Sequence, residues 1–331
     1  MSTPATLQDL LPKWAHFCLY VERFIIHELE FDLTRKHIVA AVSGGVDSTA
    51  LLHVLGFLAP RNDLTLTAVH LNHQLRPEAK GDMEHVQGLC KSMGVDCITE
   101  TKDVAQLATD TGVGVEEAGR NARYALYSEV LAQTGAEAVA LGHHLDDLSE
   151  DVLMRFIRGT GWPGLAGMPG HDSNRKLLRP FLSLPKSTLS AFVERLGVSW
   201  REDESNAELD GMRNRIRHEL LPLIFQENPN FADSVARLWK IGRIEADYWS
   251  DRIGDPASTI DDEALRSRHQ AERLRMYKAA LDALGPGQAL AHTLFKLDES
   301  WRDGRIGAVF QFPGEKTASI VQGGVVFSAS H

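Results

Sequence analysis

The 331-residue chain is poor in cysteine and has no surplus of positive charge. Its three cysteines, Cys18, Cys90 and Cys97, form no CxxC pair, which argues against a disulfide framework and against thiolate metal clusters. The formal net charge is −10, so any nucleic-acid site has to be a local basic patch. No uncharged apolar run reaches membrane-spanning length, and charged residues interrupt the N-terminal apolar residues. We therefore expect a cytoplasmic protein that has neither a signal peptide nor a membrane contact.

The most informative stretch that is present is Ser43–Ser48, which reads SGGVDS between the apolar run 37–42 and a helical pattern. Gly44 and Gly45 permit backbone conformations that other residues resist, and the turn and the following helix N-terminus attract an anion. The two serines add hydroxyl donors. The carboxylate of Asp47 would repel phosphates unless a cation lay between them, so we expect a nucleotide-phosphate site with Mg²⁺ near Asp47. No lysine follows the glycines, which excludes the Walker loop, and an ordinary strand-to-helix turn is the alternative.

Strands alternate with helices over the first two thirds of the chain, which predicts an α/β fold with a doubly wound, mostly parallel sheet of the Rossmann type. Strands are expected at 37–42, 64–70, 95–99 and 136–141, and helices include 7–30, 115–132, 146–158 and 212–224. The polar motifs fall where strands end, which is where open α/β sheets bind ligands. The composition divides the chain into a catalytic domain (1–226), a helical linker or domain (227–284) and a small C-terminal α+β segment (285–331).

A second polar cluster follows the fourth predicted strand, from Gly142 to Glu150. If a helix begins near Asp146, Asp146 and Glu150 lie on one face and Asp147 is their neighbour. Several carboxylates in one concave site suit a ligand with ammonium groups, or Mg²⁺; helix capping by Asp146 with solvated acids is the alternative. The two histidines of this cluster could also join His70 and His73 at a metal, although a histidine that reaches a phosphate is the simpler role.

Two basic clusters are candidates for binding an anion. Arg120 and Arg123 lie three residues apart with Tyr124 beside them, which favours a surface for a nucleotide unless Glu117 pairs with Arg120. The densest cluster contains Arg213, Arg215 and Arg217. We expect these three arginines to bind a polyanion, and internal salt bridges with the acids at 202–204 are the alternative.

The ordered set of motifs resembles the tRNA(Ile)-lysidine synthetases, a family of the N-type ATP pyrophosphatases (the PP-loop superfamily, with the adenine nucleotide alpha hydrolase-like fold). The matching segments are Ser43–Ser48, His70–Arg76, Arg120–Tyr124, Gly142–Glu150, Arg158–Met168, Arg179–Pro180, 202–206 and Arg213–Arg217. They lie between about residues 38 and 225, and the order makes the resemblance far more specific than any single motif.

The resemblance implies an enzyme that uses ATP to adenylate C2 of the wobble cytidine of tRNA(Ile) with a CAU anticodon. The ε-amine of free L-lysine then displaces AMP, which gives lysidine, AMP and diphosphate. In that reaction Asp47 would organise Mg²⁺ and the departing diphosphate, and His144 would approach a phosphate or the adenylate. Arg120 and Arg123 would stabilise the charge that develops on the cytidine. The remaining roles are ATP binding by Ala41, Ser43, Gly44, Gly45, Val46, Ser48 and His70, lysine binding by Asp146, Asp147 and Glu150, and tRNA binding by Arg213, Arg215 and Arg217.

The chain departs from the family pattern in two places. Leu148 and Asp151 replace the residues that are expected beside the lysine-binding acids. The region after about residue 226 matches loosely, so we expect a large additional C-terminal tRNA-binding domain to be absent or reduced. The alternatives are a tRNA thiolase of the 2-thiocytidine type, for which the chain lacks paired cysteines, a small-molecule adenylating synthetase, and an RNA-binding module without activity. Association into a homodimer is left open.

Overall fold

A computed structural model describes residue 4 and residues 6–75, 79–201 and 211–329. The chain divides into two compact units, of which the first comprises Met1–Gly159 and Gly167–Leu238 and the second Thr160–Ala166 and Trp239–His331. This division differs from the predicted boundaries at 226 and 284. Among the described residues, no helix is long and apolar enough to cross a membrane.

The first unit is built on one six-stranded sheet. Its strands are β1 (His37–Ala41), β2 (Thr65–Asn72), β3 (Asp96–Thr101), β4 (Ala138–Ala140), β5 (His171–Asp172) and β6 (Leu177–Leu178). The spatial order is β3-β2-β1-β4-β6-β5, and every neighbouring pair is parallel except β5 with β6. The predicted mostly parallel sheet is therefore confirmed. β2 and β3, which follow β1 in the chain, lie on one side of it, and β5 and β6, which follow β4, lie on the other side of β4. The strand order therefore reverses between β1 and β4, and the crevice at the carboxyl ends of these two strands is the expected ligand site.

Ten helices lie in the described part of this unit, and the last of them, α10, continues into the second unit. They are α1 (Pro12–Arg23), α2 (Val46–Asn62), α3 (Ala79–Met93), α4 (Val104–Thr111), α5 (Val115–Thr134), α6 (Leu145–Ile157), α7 (Lys186–Leu196), α8 (Met212–Arg215), α9 (Leu221–Glu227) and α10 (Phe231–Ile253). The apolar stripe of α5 buries Leu126 and Val130 against Val39, Val69 and Val139 of the sheet. Helix α2 instead packs with α1 and α7. Apolar strand residues are thus covered by helices on both faces of the sheet.

Two predicted helices are interrupted. The segment expected to be helical from residue 7 to 30 contains a 3₁₀ turn, then α1, then a π-helical turn at Phe24–Glu28. Helix α1 begins at Pro12, because proline suits the first turn, where its missing N–H has no partner to lose. The expected helix 212–224 is α8 followed by a π-helical turn, Ile216–Leu220, and α9. Hydrophobic spacing does not distinguish a π turn from an α turn over so few residues.

The second unit contains a separate antiparallel sheet. Its strands are β7 (Thr259–Asp261), β8 (Val309–Phe312), β9 (Lys316–Val321) and β10 (Gly324–Ala329), and its further helices are α11 (Asp262–Arg266), α12 (Gln270–Ala283) and α13 (Ala291–Arg302). The order is β7-β10-β9-β8, so β7, from the segment that was expected to be helical, pairs with β10. A three-residue strand with one buried residue, Ile260, has too little periodicity to be read from sequence.

Candidate active site

The Ser43–Ser48 loop joins β1 to α2, as predicted. Gly44 has φ +95°, which favours glycine, and Gly45 is the residue immediately before α2. The loop is fixed at two points of its main chain: Val42 N donates to Val69 O at 2.9 Å, and Gly44 O accepts from Arg201 N at 2.9 Å. The first turn of α2 therefore faces the carboxyl edge of the sheet, where its positive end can attract phosphate.

Ser48 holds the loop together from inside. Its Oγ accepts hydrogen bonds from Ser43 N (3.1 Å) and Gly44 N (3.2 Å) and donates to Gly45 O at 3.0 Å. The Oγ of Ser48 also lies 3.1 Å from Ser43 Oγ. These contacts fix the shape of the loop, and the ATP-binding role of Ser48 stays a prediction. Ser43 remains exposed at the loop surface.

Asp47 lies where the ends of three elements meet. Its Oδ2 is 3.6 Å from His144 Nε2 and 3.9 Å from Lys186 Nζ. Its Oδ1 is buried and has no hydrogen-bond partner among the described residues. A buried carboxylate oxygen without a donor is costly unless another group binds it. Asp47 is therefore the residue of the loop best suited to bind a cation.

Gly142 allows the two strand ends to approach one another. A side chain there would come within 3.1 Å of the Asp47 carbonyl carbon and 3.3 Å of Ser48 N. Because backbone moves aside less easily than a flexible side chain, glycine is strongly favoured at this crossing. The ends of β1 and β4 consequently form one crevice, with α2 and α6 both starting at it.

The pKa values of the two adjacent histidines at this crevice are shifted in opposite directions. The pKa of His143 is lowered to about 3, mainly by burial, because burial and the guanidiniums of Arg179, Arg213 and Arg123 together outweigh the opposing charge of Asp147, so His143 is neutral. Burial alone would also lower the pKa of His144, but the carboxylates of Asp47 and its α6 neighbours outweigh that effect and raise it. His144 can thus carry positive charge toward a phosphate while His143 accepts a hydrogen bond.

His70 points its ring at the nucleotide loop. Its Nδ1 donates to Val42 O at 2.8 Å, and burial lowers its pKa. Its Nε2 is buried without a hydrogen-bond partner in the described part of the chain, so this atom is a free acceptor. No group of three or more metal-ligating side chains is present in the described residues, and the metal site of clustered histidines stays an unsupported alternative.

The three acids of the second cluster do not converge on one point. Asp146 Oδ2 accepts from Lys186 N at 3.4 Å, at the start of α7, and Asp147 Oδ2 accepts from His144 N at 3.0 Å, which caps α6. Glu150 is only 1% exposed. Leu148 is fully buried, and Asp151 pairs with Arg155 at 2.6 Å.

Arg213 and Arg217 form ion pairs with two acids of α6, Glu150 and Asp147. Glu150 accepts from Arg213 Nε at 2.8 Å and from Arg217 Nε at 2.5 Å and Nη2 at 3.0 Å. Asp147 Oδ1 is 3.4 Å and 3.5 Å from the two Nη2 atoms. Burial opposes the charge of both arginines, but the hydrogen bonds to Glu150 raise their pKa values. The internal salt bridges left open by the sequence therefore exist, although their acids are in α6, and the acids at 202–204 lie outside the described residues.

Arg215 and the α5 arginines have different surroundings. Arg215 is exposed, and none of the described salt bridges includes it. Arg120 lies 5.0 Å from the centre of the Tyr124 ring, and the described salt bridges do not join it to Glu117. Arg123 is exposed and contributes to the low pKa of His143, so it is the α5 arginine whose charge reaches the crevice.

Three residues of the crevice received no role from the sequence. Lys186 lies near Asp47, Arg201 hydrogen-bonds Gly44, and buried Arg179 donates from Nε to His143 Nδ1 at 3.2 Å. Arg179 Nη1 also donates to Pro169 O at 2.6 Å. An arginine between apolar Leu178 and Pro180 was the available signal, because a buried cation needs partners.

Comparison with known proteins agrees with this geometry. The PP-loop domain family matches residues 21–224. The chain is 44% identical over 318 residues to the tRNA(Ile)-lysidine synthase of Nitratidesulfovibrio vulgaris, covering 88% of this chain and 92% of that protein. The chain belongs to the tRNA(Ile)-lysidine synthase family. The synthase of Geobacter sulfurreducens is 38% identical over 72% of this chain, which spans only 47% of that protein. The chain thus spans about half the length of some relatives that it matches.

Among solved structures, the U34-tRNA thiolase NcsA from Methanococcus maripaludis is similar, with a TM-score of 0.57 and 18% identity. The match covers 68% of this chain and 78% of that one. At this identity the similarity supports the fold alone. The matched PP-loop domain includes the Ser43–Ser48 loop and supports the use of ATP by this chain.

Proposed function

We propose that this protein uses ATP to adenylate C2 of the wobble cytidine of tRNA(Ile) with a CAU anticodon, and that the ε-amine of free lysine then displaces AMP. One observation supports this most directly: the nucleotide loop and the buried acid–arginine cluster open on the same crevice. His144 joins them, with Nε2 at 3.6 Å from Asp47 and 3.4 Å from Asp147. Two substrates that bind on either side of His144 would be adjacent.

The nucleotide side suits a polyphosphate. The α2 N-terminus offers main-chain N–H groups and a positive dipole, and His144 with its raised pKa adds a cation. The donor set also fits Mg²⁺, which takes one or two carboxylates and completes its coordination with water and substrate phosphates. Asp47 would hold that ion through the buried Oδ1, which has no donor among the described residues. The ion would supply charge neutralisation for the diphosphate.

The acid–arginine cluster on the other side of the crevice suits a free amino acid better than it suits an amine alone. Free lysine carries a carboxylate and two ammonium groups, and the cluster of Asp147, Glu150, Arg213 and Arg217 contains two groups of each sign. We therefore assign the acids to an ammonium group, as the sequence predicted, and add the arginines as partners of the lysine carboxylate. Such pairing would fix the amino acid so that its second nitrogen faces the reacting carbon.

Arg123 is the proposed stabiliser of charge on the cytidine. Its guanidinium influences His143, whereas Arg120 faces Tyr124. Preorganised cations of this kind act where charge develops, and removing one costs about 100- to 1,000-fold in rate. Arg120 is accordingly reassigned from the reacting base to the surface beside it.

The thiolase alternative has less support. Cys18 and Cys90 are fully buried, on α1 and α3, and Cys97 neighbours Cys90, so the three sulfurs do not surround the nucleotide loop. Reactive cysteines of sulfur-transfer enzymes are exposed and thiolate-like. Burial instead raises the pKa of Cys18 to about 12.

The test is incubation of the full chain with ATP, Mg²⁺, labelled lysine and unmodified tRNA(Ile), followed by digestion and identification of the labelled nucleoside. The expected product is labelled lysidine and one AMP per lysine. A tRNA whose wobble cytidine is replaced by uridine should receive no label. Sulfur incorporation in place of lysine, or AMP formation without RNA, would contradict the proposal.

Asp47→Asn provides the internal test of the nucleotide side. We expect lysine transfer to fall by about 1,000-fold, because a neutral amide cannot neutralise a metal ion at the diphosphate. Asp63→Asn, at the opposite end of the same helix, is the matched control and should retain full activity. Equal activity of the two variants would exclude Asp47 from the reaction.

A further inference from the structure

A cleft of about 610 Å³ lies between α5 and the turn that joins β5 to β6. Three of its lining side chains are cationic: Arg120, Arg175 and Lys176. None of the described residues that line it is acidic, in a protein whose formal net charge is −10. The cleft is therefore a local positive surface with no carboxylate in its described lining.

The turn presents its cations from a fixed backbone. Asp172 Oδ1 accepts from Arg175 N at 3.1 Å, so the nearest acid is used to close the turn. Lys176 has φ +53° and its carbonyl accepts from Val139 N at 2.8 Å, which ties the turn to the central sheet. Tyr124 aligns two guanidiniums, with Arg120 at 5.0 Å and Arg175 at 5.6 Å from its ring centre. The charges are thus arranged before any ligand arrives.

The cleft connects to the crevice through one buried arginine. Burial lowers the pKa of Arg179, and the neighbouring Tyr124 and Asp172 side chains oppose that decrease. On its other side Arg179 donates to His143 Nδ1 at 3.2 Å. A ligand that contacts Tyr124 in the cleft is therefore separated from the reacting crevice by only two side chains.

We infer that the cleft binds phosphodiester groups of single-stranded RNA, from the nucleotides next to the one that reacts. Guanidiniums and an ammonium supply the phosphate contacts, and Asn121, Asn174 and the Tyr127 hydroxyl supply donors and acceptors for bases or ribose. The volume is of the size that accommodates a ligand of nucleotide dimensions. The inference rests on the proposed function for the identity of the RNA, and it adds Arg175 and Lys176 as positioning residues.

The experiment compares two double variants of the full chain. Arg175→Gln with Lys176→Asn removes two cleft charges, and asparagine tolerates the positive φ at 176. Lys91→Gln with Arg195→Gln removes two exposed charges from α3 and α7, away from the cleft, as the matched control. The probe is a fluorescent anticodon stem-loop RNA with a CAU loop, titrated by anisotropy at several salt concentrations, with ATP binding measured separately.

We expect the cleft variant to bind RNA about 10-fold or more weaker, and the slope of log affinity against log salt to decrease by about 1.4 to 1.8, since each phosphate contact contributes about 0.7 to 0.9. ATP affinity and the control variant should be unchanged. If the cleft variant bound RNA as tightly as the unmodified protein and still transferred lysine, the inference that the cleft binds RNA would be wrong, while the proposed function would stand. If the cleft variant bound ATP more weakly and RNA as before, the cleft would be a site for a free nucleotide, and the inference that it binds RNA would be wrong. Weaker RNA binding by the variant of a protein that transfers no lysine would support the cleft and refute the proposed function.

Discussion

The first unit has two groups of cations that differ in whether carboxylates already neutralise them. In the inner group, Arg213 and Arg217 contact Glu150, whose exposed fraction is only 1%. In the outer group, the cations of the α5 cleft face solvent and Tyr124, and no acid lines the described cleft. The density of basic residues in a sequence therefore does not show which cations are already paired with acids. In the proposed cleft, the cations without an acid in the described lining lie on segments separated by about fifty residues.

The difference also separates two kinds of specificity. Partly buried pairs of opposite sign suit a small zwitterion, which can replace each internal contact with an equivalent one. Exposed cations suit phosphates, whose binding releases counterions and depends on salt. The two groups are thus expected to respond to different measurements: the inner group to lysine concentration and protein stability, the outer group to salt and RNA.

The largest expected effect is that of Glu150→Gln, which breaks the inner group. It leaves two partly buried guanidiniums without their main counter-charge, and we expect the free energy of unfolding in urea to fall by about 3 kcal/mol. The KM for lysine should rise by about 10- to 100-fold, because a charge-assisted hydrogen bond contributes about 1.5–3 kcal/mol. The KM for ATP should change little.

Asp151→Asn is the matched control on the same helix. The Asp151 side chain is 23% exposed, against 1% for Glu150, and loss of a pair that water reaches costs about 1 kcal/mol or less. Equal losses of stability in the two variants would show that Glu150 is not the centre of a desolvated cluster, and the inner group would then be no different from a surface ion pair.

The sequence predicted the nucleotide loop, the parallel sheet and the position of the acids, because each depends on local signals: glycines at a strand end, alternating hydrophobicity and a helix start. It did not predict which arginines the acids bind. Glu150 and Arg217 are 67 residues apart, and the nearer acids at 202–204 offered a simpler pairing. Contacts of that separation follow from how α6 and the π-helical turn after α8 pack, which no local pattern encodes.

The cleft was unpredictable for a related reason. Arg175 and Lys176 belong to a turn between two strands of only two residues each, too short to show periodicity, and no motif marks them. Only the pairing of β5 with β6 places them opposite α5. Helix α4 was missed although its signals were local: Asp103 caps it, with Oδ1 accepting from Gln106 N at 2.9 Å, and Gly112 ends it.

An intermediate effect is expected for Arg217→Gln, which distinguishes the two groups most clearly. Glu150 keeps Arg213, so the loss of stability should be about 2 kcal/mol, in the range for a hydrogen bond to a charged group. The KM for lysine should rise, and the salt dependence of tRNA binding should stay as in the unmodified protein.

The cleft variant Arg175→Gln with Lys176→Asn should behave oppositely: its stability should stay within about 0.5 kcal/mol of the unmodified protein, and its RNA affinity should depend less on salt. If Arg217→Gln flattened the slope and left stability intact, the guanidinium would contact RNA phosphate, as the sequence alone suggested.

The smallest effect is expected for Arg215→Gln, and it tests where the boundary between the two groups runs. Arg215 lies between the inner arginines in sequence but is exposed, and the described salt bridges do not include it. If it contacts tRNA, as predicted, the slope of log affinity against log salt should decrease by about 0.7 to 0.9, with a several-fold weaker affinity and no change in stability or in the KM for lysine. Arg195→Gln, on α7, is the single-charge control. A rise in the KM for lysine with an unchanged slope would instead assign Arg215 to the inner group, because only a side chain that supports the acid–arginine cluster could act on the amino acid without acting on the RNA.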